Sequence, residues 1–193
     1  MSTRLALVLI GDSIRNGYCE HVVRELVDEV AVFAPAQNGG DSRNVLAHLD
    51  EWVLKQQPDL VHVNCGLHDL KRAFGEAPEV SLEAYRGHVR QILERLGSGL
   101  QGTVVWATTT PVDQVLHHRN KGFDRFEADV EAYNEAASSE AEALGIPIND
   151  LFAVVEAEEK NRILTQDGVH FTEEGSQILG RAVAAWMRQY LEH

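Results

Sequence analysis

The chain has 193 residues, of which 44% are hydrophobic and 24% charged, a composition typical of one globular domain with a real core. Seventeen Lys and Arg residues against 30 Asp and Glu residues give a formal net charge of −13. Such a charge disfavours nucleic acid, whose phosphates need a basic surface, and disfavours anionic membranes as partners.

Predicted strands and helices alternate along the chain. Short apolar runs that end at Gly or Pro predict buried strands, and apolar residues at helical spacing predict the helices between them. In chain order the elements are strand Leu5–Ile10, a weakly marked helix Tyr18–Val27, strand Val30–Ala34, helix Ser42–Gln56, strand Leu60–Val63, helix Ser81–Leu96, strand Thr103–Thr108, helix Asp124–Leu144, strand Ile146–Ile148 and a final helix after Thr172. Because Pro147 cannot donate a ladder hydrogen bond, the fifth strand is expected at an edge.

The longest early apolar run, Leu5–Ile10, is too short for a membrane span or for the core of a signal peptide. Two cysteines, Cys19 and Cys65, are too few for a disulfide framework. We therefore expect a cytoplasmic protein with free thiols. Residues 1–190 are expected to form one domain, and residues 191–193 are interpreted as a tag remnant without functional weight.

Alternating strands and helices predict an α/β fold with a parallel sheet covered on both faces, in which sites form beyond the carboxyl ends of the strands. The first strand runs directly into Gly11-Asp12-Ser13, and Asp167-Gly168-Val169-His170 precedes the last helix. A nucleophilic serine needs a base, and that base needs a partner to fix its tautomer. Taken alone, each segment is better explained as a helix cap or a turn.

Two glycine-rich turns follow the second and third strands. They are Asn38-Gly39-Gly40-Asp41-Ser42 and Asn64-Cys65-Gly66-Leu67-His68-Asp69. Backbone N–H groups and a side-chain donor in such turns could form an oxyanion hole, although glycine is also common wherever a turn needs positive φ.

Together these segments closely resemble the ordered sequence blocks of the SGNH (GDSL) hydrolase family. Gly11-Asp12-Ser13 resembles the first block, Gly40 the second-block glycine, and Gly66-Leu67-His68-Asp69 the third block, whose usual pattern is Gly-x-Asn-Asp. Asp167-Gly168-Val169-His170 matches the Asp-x-x-His block. The resemblance runs from Leu5 to beyond His170, nearly the whole chain, and the absence of Gly-x-Ser-x-Gly argues against the ordinary α/β-hydrolase fold.

The resemblance implies a flavodoxin-like three-layer α/β/α sandwich with a five-stranded parallel sheet. It also implies Ser13 as nucleophile, His170 as base, Asp167 as the partner of His170, and the N–H groups of Ser13 and Gly40 as oxyanion donors. No cofactor is implied.

One departure concerns the third block, where His68 stands at the position of the family's donor asparagine. An imidazole can donate one hydrogen bond, so His68 could substitute, and Asn64 at the end of the third strand is the alternative donor. Position alone favours His68.

Other polar residues near the motifs have less specific interpretations. Asp12 and Asp69 are expected to fix turns from behind the site. Arg15, Asn16, Arg43, His117 and His118 are candidates for substrate binding, although any of them could equally be solvated surface. Adjacent histidines such as His117 and His118 rarely face one ion, and no zinc-ligand spacing is present, so no metal site is expected.

The residues therefore predict a serine hydrolase that acts on small-molecule carboxylic esters through an acyl-enzyme. Polar loops, Lys71–Val80 and Pro111–Phe123, favour an acetyl or other short-chain ester of a carbohydrate or another polar alcohol. The alternatives are lysophospholipase or thioesterase activity in the same family, a non-catalytic ligand-binding module on the same scaffold, and a flavin or nucleotide binder. The acidic turn after the first strand disfavours the last of these.

Overall fold

Five strands form one parallel sheet in the computed structural model, which describes residues 4–191. The strands are β1 (Ala6–Ile10), β2 (Ala31–Phe33), β3 (Leu60–Val63), β4 (Thr103–Ala107) and β5 (Ile148–Asn149), in the order β2-β1-β3-β4-β5. In the register of the sheet, Val8 lies opposite Phe33 on one side and opposite Val61 on the other. This is the flavodoxin-like strand order, so the predicted fold class is confirmed. The fifth strand is at an edge as predicted, and it begins just after Pro147.

The helices differ from the prediction chiefly at their ends and in number. They are α1 (Ser13–Glu25), α2 (Ser42–Leu49), α3 (Leu82–Gly99), α4 (Gln114–Asn120), α5 (Glu127–Ala143), α6 (Leu151–Glu156), α7 (Lys160–Ile163) and α8 (Glu173–Arg188), with a π-helical turn at Asp50–Leu54.

Three predicted helices need correction, and three short helices have no predicted counterpart. The first helix begins at Ser13, five residues before the predicted Tyr18, because Asp12 caps it by accepting a hydrogen bond from Ile14 N. The helix predicted over Ser42–Gln56 changes to π geometry after Leu49. The helix predicted from Asp124 begins at Glu127, because Asp124 is held in a backbone bridge to Arg72. The short helices α4, α6 and α7 were not predicted, since four to seven residues give too little periodicity.

The helices form two layers on the sheet. Helices α1 and α8 pack together, while α3 packs against both α2 and α5. Each crossover between parallel strands is right-handed, so the face on which its helix lies depends on the direction in which the chain crosses the sheet. The chain moves from β1 to β2 in one direction and from β2 through β5 in the other, which places helices on both faces. Large buried side chains such as Trp106, Tyr18 and Tyr85 fill the core between the layers.

The reversal of direction makes β1 and β3 neighbours at the centre of the sheet. Their carboxyl ends open into the crevice where open α/β sheets bind ligands. Within residues 4–191 no helix is both long and apolar enough to cross a membrane. Cys19 is half-buried and Cys65 buried, and neither thiol forms a disulfide. Glu192 and His193, two of the three residues interpreted as a tag remnant, lie outside the described residues.

Candidate active site

Ser13 lies at the carboxyl end of the central strand, where β1 passes into α1. The Asp12 carboxylate caps the helix, with Oδ1 2.9 Å from Ile14 N, so that Ser13 is the first helical residue. From this position Ser13 Oγ lies 2.8 Å from His170 Nε2, although 157 positions separate the two residues. The tertiary fold therefore brings the first and last motifs into direct contact.

Asp167 and His170 lie on the turn between α7 and α8. Asp167 Oδ2 lies 2.6 Å from His170 Nδ1. Its other oxygen, Oδ1, accepts hydrogen bonds from Val169 N at 3.0 Å, His170 N at 2.9 Å and Thr165 Oγ1 at 2.8 Å. A carboxylate on Nδ1 favours the tautomer with its proton there, which leaves Nε2 able to accept the proton of Ser13.

The charge of Asp167 is strongly stabilised. Partial burial opposes the charge, but the hydrogen bonds from His170, Thr165 and Val169 outweigh it and hold the pKa of Asp167 well below its usual range. Lys121 Nζ lies 3.1 Å from Oδ2, the same oxygen that bonds His170. Asp167 is therefore an anion at every pH at which the imidazole could act as a base.

Helix α4 supports the turn that carries this pair. His117 Nδ1 lies 3.0 Å from the carbonyl oxygen of Asp167, and Asp113 N donates to the carbonyl oxygen of Gly168 at 2.8 Å. Gly168 has a φ of +72°, and a Cβ there would lie 2.5 Å from Asp113 O. The close contact between α4 and the turn thus requires glycine at this position.

The turn after β2 places Gly40 beside the end of β1. Gly39 N donates to Gly11 O at 3.0 Å, which fastens this turn to the strand that leads to Ser13. Gly40 adopts a φ of +62°, and its N–H donates to Asn38 Oδ1 at 2.8 Å. Any acceptor that uses the Gly40 N–H must therefore displace the side chain of Asn38.

The turn after β3 separates the two candidate side-chain donors. The Asn64 amide donates to Ala107 O at 2.8 Å and to Thr109 Oγ1 at 3.3 Å, which commits both of its hydrogens to the end of β4. His68 forms no hydrogen bond within the described residues, and its Nε2 lies 4.0 Å from Asp12 Oδ2. Burial lowers the pKa of His68, with the Asp12 charge opposing, so its imidazole is neutral at pH 7.

Asp69 joins the third turn to the second. Both of its oxygens lie 3.0 Å from Ser42 N, its Oδ1 also accepts from Ser42 Oγ, and that hydroxyl lies 2.9 Å from His88 Nδ1. Burial raises the pKa of Asp69 to about 7, against the effect of the Ser42 bonds. Asp12 and Asp69 are both buried, and their bonds tie Asp12 to the start of α1 and Asp69 to the turn after β2.

The five residues considered for substrate binding lie in different environments. Two are buried: Arg15 donates to Pro35 O at 3.0 Å and Gln37 O at 3.1 Å, and His117 supports the Asp167 turn. Three are exposed: Asn16 on α1, Arg43 in an ion pair with Asp41 at 2.6 Å, and His118, whose Nδ1 lies 2.7 Å from Asp124 Oδ1. Arg15 and His117 thus hold loops in place.

The two loops expected to shape specificity are joined to one another. Arg72 N donates to Asp124 O at 3.0 Å, and Asp124 N donates to Arg72 O at 2.8 Å. Thr165 and Arg125 escaped the sequence analysis because no motif marks them, and Lys121 was expected only as a polar residue of the loop Pro111–Phe123. Among residues 4–191 no group of three or more His, Cys, Asp or Glu side chains is arranged to hold a metal ion.

Comparisons with known proteins identify the family and the fold. The model of the GDSL-like lipase/acylhydrolase family matches residues 9–178. The crystal structure of the lipase/acylhydrolase from Enterococcus faecalis is 22% identical with a TM-score of 0.82, over 97% of each chain. The acetyl xylan esterase AlAXEase is 19% identical with a TM-score of 0.74, over 94% of this chain and 99% of that one.

Axe2, an acetylxylan esterase from Geobacillus stearothermophilus, is also 19% identical with a TM-score of 0.74, over 98% of this chain and 94% of that one. No curated protein matches the chain in sequence. At these identities the solved structures establish the shared fold.

Proposed function

The chain belongs to the GDSL-like lipase/acylhydrolase family and is a carboxylic ester hydrolase, and from that premise we propose that Ser13, His170 and Asp167 are its catalytic triad. The observation that carries the proposal is the continuous chain of hydrogen bonds from Ser13 Oγ through the imidazole to the Asp167 carboxylate. This geometry satisfies the two conditions for an activated serine, a base in contact and a group that orients the base.

The reaction proceeds in two halves. Ser13 Oγ attacks the ester carbonyl carbon while His170 Nε2 takes the hydroxyl proton, and the resulting imidazolium is stabilised by Asp167. The tetrahedral intermediate collapses, the C–O bond to the alcohol breaks, and the alcohol leaves with the proton from Nε2. Water then attacks the acyl-enzyme, His170 takes one of its protons and returns it to Ser13 Oγ, and the acid is released.

Three groups are proposed to stabilise the oxyanion: the N–H groups of Ser13 and Gly40 and the side chain of His68. The substrate oxygen displaces the Asn38 amide from Gly40 N, exchanging one hydrogen bond for a stronger one to a developing negative charge. His68 is preferred to Asn64 because the Asn64 amide is already bonded to Ala107 O and Thr109 Oγ1.

The proposed substrate is an acetyl ester of a carbohydrate or a similar polar alcohol. The exposed polar side chains of α4, His118, Arg119 and Asn120, favour such an alcohol over a long acyl chain. Two of the structures similar in fold are acetyl xylan esterases, which supports the same choice. A cytoplasmic enzyme of this kind would deacetylate small oligosaccharides that the cell has imported.

Hydrolysis of p-nitrophenyl esters of increasing chain length, together with an acetylated xylooligosaccharide, tests both parts. We expect wild type to favour the acetyl ester and Ser13→Ala to lose activity, while Ser98→Ala, an exposed serine on α3, serves as the matched control. Equal rates for wild type and Ser13→Ala would remove Ser13 as nucleophile and favour a non-catalytic binding module. Cleavage of long acyl esters alone would overturn the acetyl assignment.

A further inference from the structure

Arg125 is a buried cation beside the candidate active site that lacks a matching anion. It precedes α5, and only 6% of its surface is exposed. Its Nε donates to Leu67 O at 2.6 Å, and the guanidinium forms no other hydrogen bond and no ion pair within residues 4–191. The buried Arg15, in contrast, uses a terminal nitrogen of its fork on two carbonyl oxygens. Four of the five N–H donors of Arg125 are therefore uncommitted.

The position of Arg125 follows from the groups around it. Leu67 immediately precedes His68, so the bond to Leu67 O fixes the guanidinium against the turn that carries the proposed oxyanion donor. Burial lowers the pKa of Arg125 to about 10, and the carboxylates of Asp12 and Asp167 oppose this shift. The cation remains charged at neutral pH and lies between the turns that carry His68 and the triad carboxylate.

Neither nearby carboxylate forms an ion pair with Arg125 within residues 4–191. Asp12 caps α1 through Oδ1, while its Oδ2 has no hydrogen-bond partner, and the oxygens of Asp167 are occupied by His170, Thr165 and Lys121. A largely buried charge without an ion-pair partner is costly. The terminal nitrogens of Arg125 keep some contact with solvent, so a ligand can reach them and supply the missing partner. The chain has a net charge of −13, so a largely buried cation at the site contrasts with its otherwise acidic composition.

A second cation converges on the same place. Phe123 has Lys71 Nζ 4.7 Å from its ring centroid and the Arg125 guanidinium carbon 5.0 Å from it, with the His117 ring at 5.2 Å on an edge. Lys71 comes from the loop after β3 and Phe123 from the loop after β4, and the bridge between Arg72 and Asp124 joins those loops. The aromatic ring thus holds two positive charges at one wall of the crevice.

We propose that Arg125, assisted by Lys71, binds a carboxylate on the alcohol part of the substrate, so that the enzyme acts on acetyl esters of acidic alcohols such as uronic acids or hydroxy acids. This inference rests on the proposed function, because an acetyl group has no room for a charge and the carboxylate must then lie on the alcohol. The planar fork of a guanidinium matches the two oxygens of a carboxylate, which gives orientation as well as attraction.

The test compares 4-acetoxybenzoate with the neutral 4-acetoxybenzamide, which share the acetyl group and the ring. We expect wild type to have the higher kcat/KM for the anion, mainly through KM. Arg125→Gln should lower the ratio of anion to amide by about 10- to 100-fold, and Arg125→Lys should lower it less, because it keeps the charge and loses the fork. Arg24→Gln removes an equal charge from the exposed face of α1, where Arg24 pairs with Glu20, and should leave the ratio unchanged.

Two results would overturn the inference and make Arg125 a support for the Leu67 turn. The first is a wild-type enzyme that does not prefer the anion, and the second is an Arg125→Gln variant that loses activity equally on both esters. Calorimetric binding of 4-acetoxybenzoate to Ser13→Ala, with and without Arg125→Gln, separates this result from the proposed function because it needs no turnover. Weaker binding in the double variant supports the carboxylate site even if no ester is cleaved, and equal binding refutes it.

Discussion

Replacing Asp167 with Asn removes the charge of this side chain while keeping its shape. An Asn oxygen in place of Oδ1 can still accept from Thr165, Val169 N and His170 N, so the turn should keep its fold. The amide NH₂ would then face His170 Nδ1 across the 2.6 Å contact that a carboxylate now makes. Because two donors cannot meet there, the imidazole proton must move to Nε2, which can no longer accept the proton of Ser13.

The expected loss in kcat is about 10,000-fold at neutral pH, equivalent to about 5 kcal/mol of barrier, which is the scale of a triad whose base holds the wrong tautomer. KM should change little, because Asp167 contacts His170 and its own turn. Asp167 also contributes to stability through its lowered pKa. That contribution is present above the ordinary carboxyl range and is lost as the pH falls toward the folded-state value, so the variant should be less sensitive to acid.

Steady-state hydrolysis of p-nitrophenyl acetate measures kcat and KM, and denaturant unfolding across acidic pH measures the stability effect. Thr165→Val is the matched control, since it removes one donor to Oδ1 and leaves the bond between Oδ2 and Nδ1 intact. We expect this control to keep kcat within about tenfold of wild type, as befits a single hydrogen bond. If Asp167→Asn keeps more than about a tenth of wild-type kcat, the carboxylate does not fix the tautomer of His170 and the triad assignment fails.

Two further predictions concern the turns beside the triad. His68→Ala should lower kcat about 100- to 1000-fold with the fold intact. Asn64→Ala should chiefly lower Tm, because the Asn64 amide bonds the end of β4. The reverse pattern in kinetics and thermal melts would make Asn64 the oxyanion donor. The pKa of Asp69 is raised to about 7, so the free energy of unfolding should fall as the pH rises from the ordinary carboxyl range through about 7. Denaturant unfolding of wild type and Asp69→Asn at about pH 5 and about pH 8 measures this fall, which the variant should lose. An unchanged fall in the variant would contradict the raised pKa.

The strands and the order of the motifs could be predicted because their causes are local. Buried parallel strands leave continuous apolar runs, and the residues that follow them, such as Ser13 and Gly40, necessarily lie at one edge of the sheet. The short helix α4 could not be predicted, because its seven residues lie in a polar loop. Its position depends on contacts with the turn of Asp167 and Gly168, about 50 residues further along the chain.

The sequence alone predicted the sheet, the candidate nucleophile and the pairing of Asp167 with His170. The pairing is local, because side chains three residues apart on one turn lie close to each other. Only the tertiary structure distinguishes the two candidate donors. The Asn64 amide is bonded to the end of β4, whereas the His68 side chain has no hydrogen-bond partner within residues 4–191 and lies near Asp12. Tertiary structure also decided that Arg125 lies at the site while Arg15 holds a loop. The burial of a side chain and the number of its unpaired donors depend on residues distant in the chain, so a local sequence motif cannot predict either one.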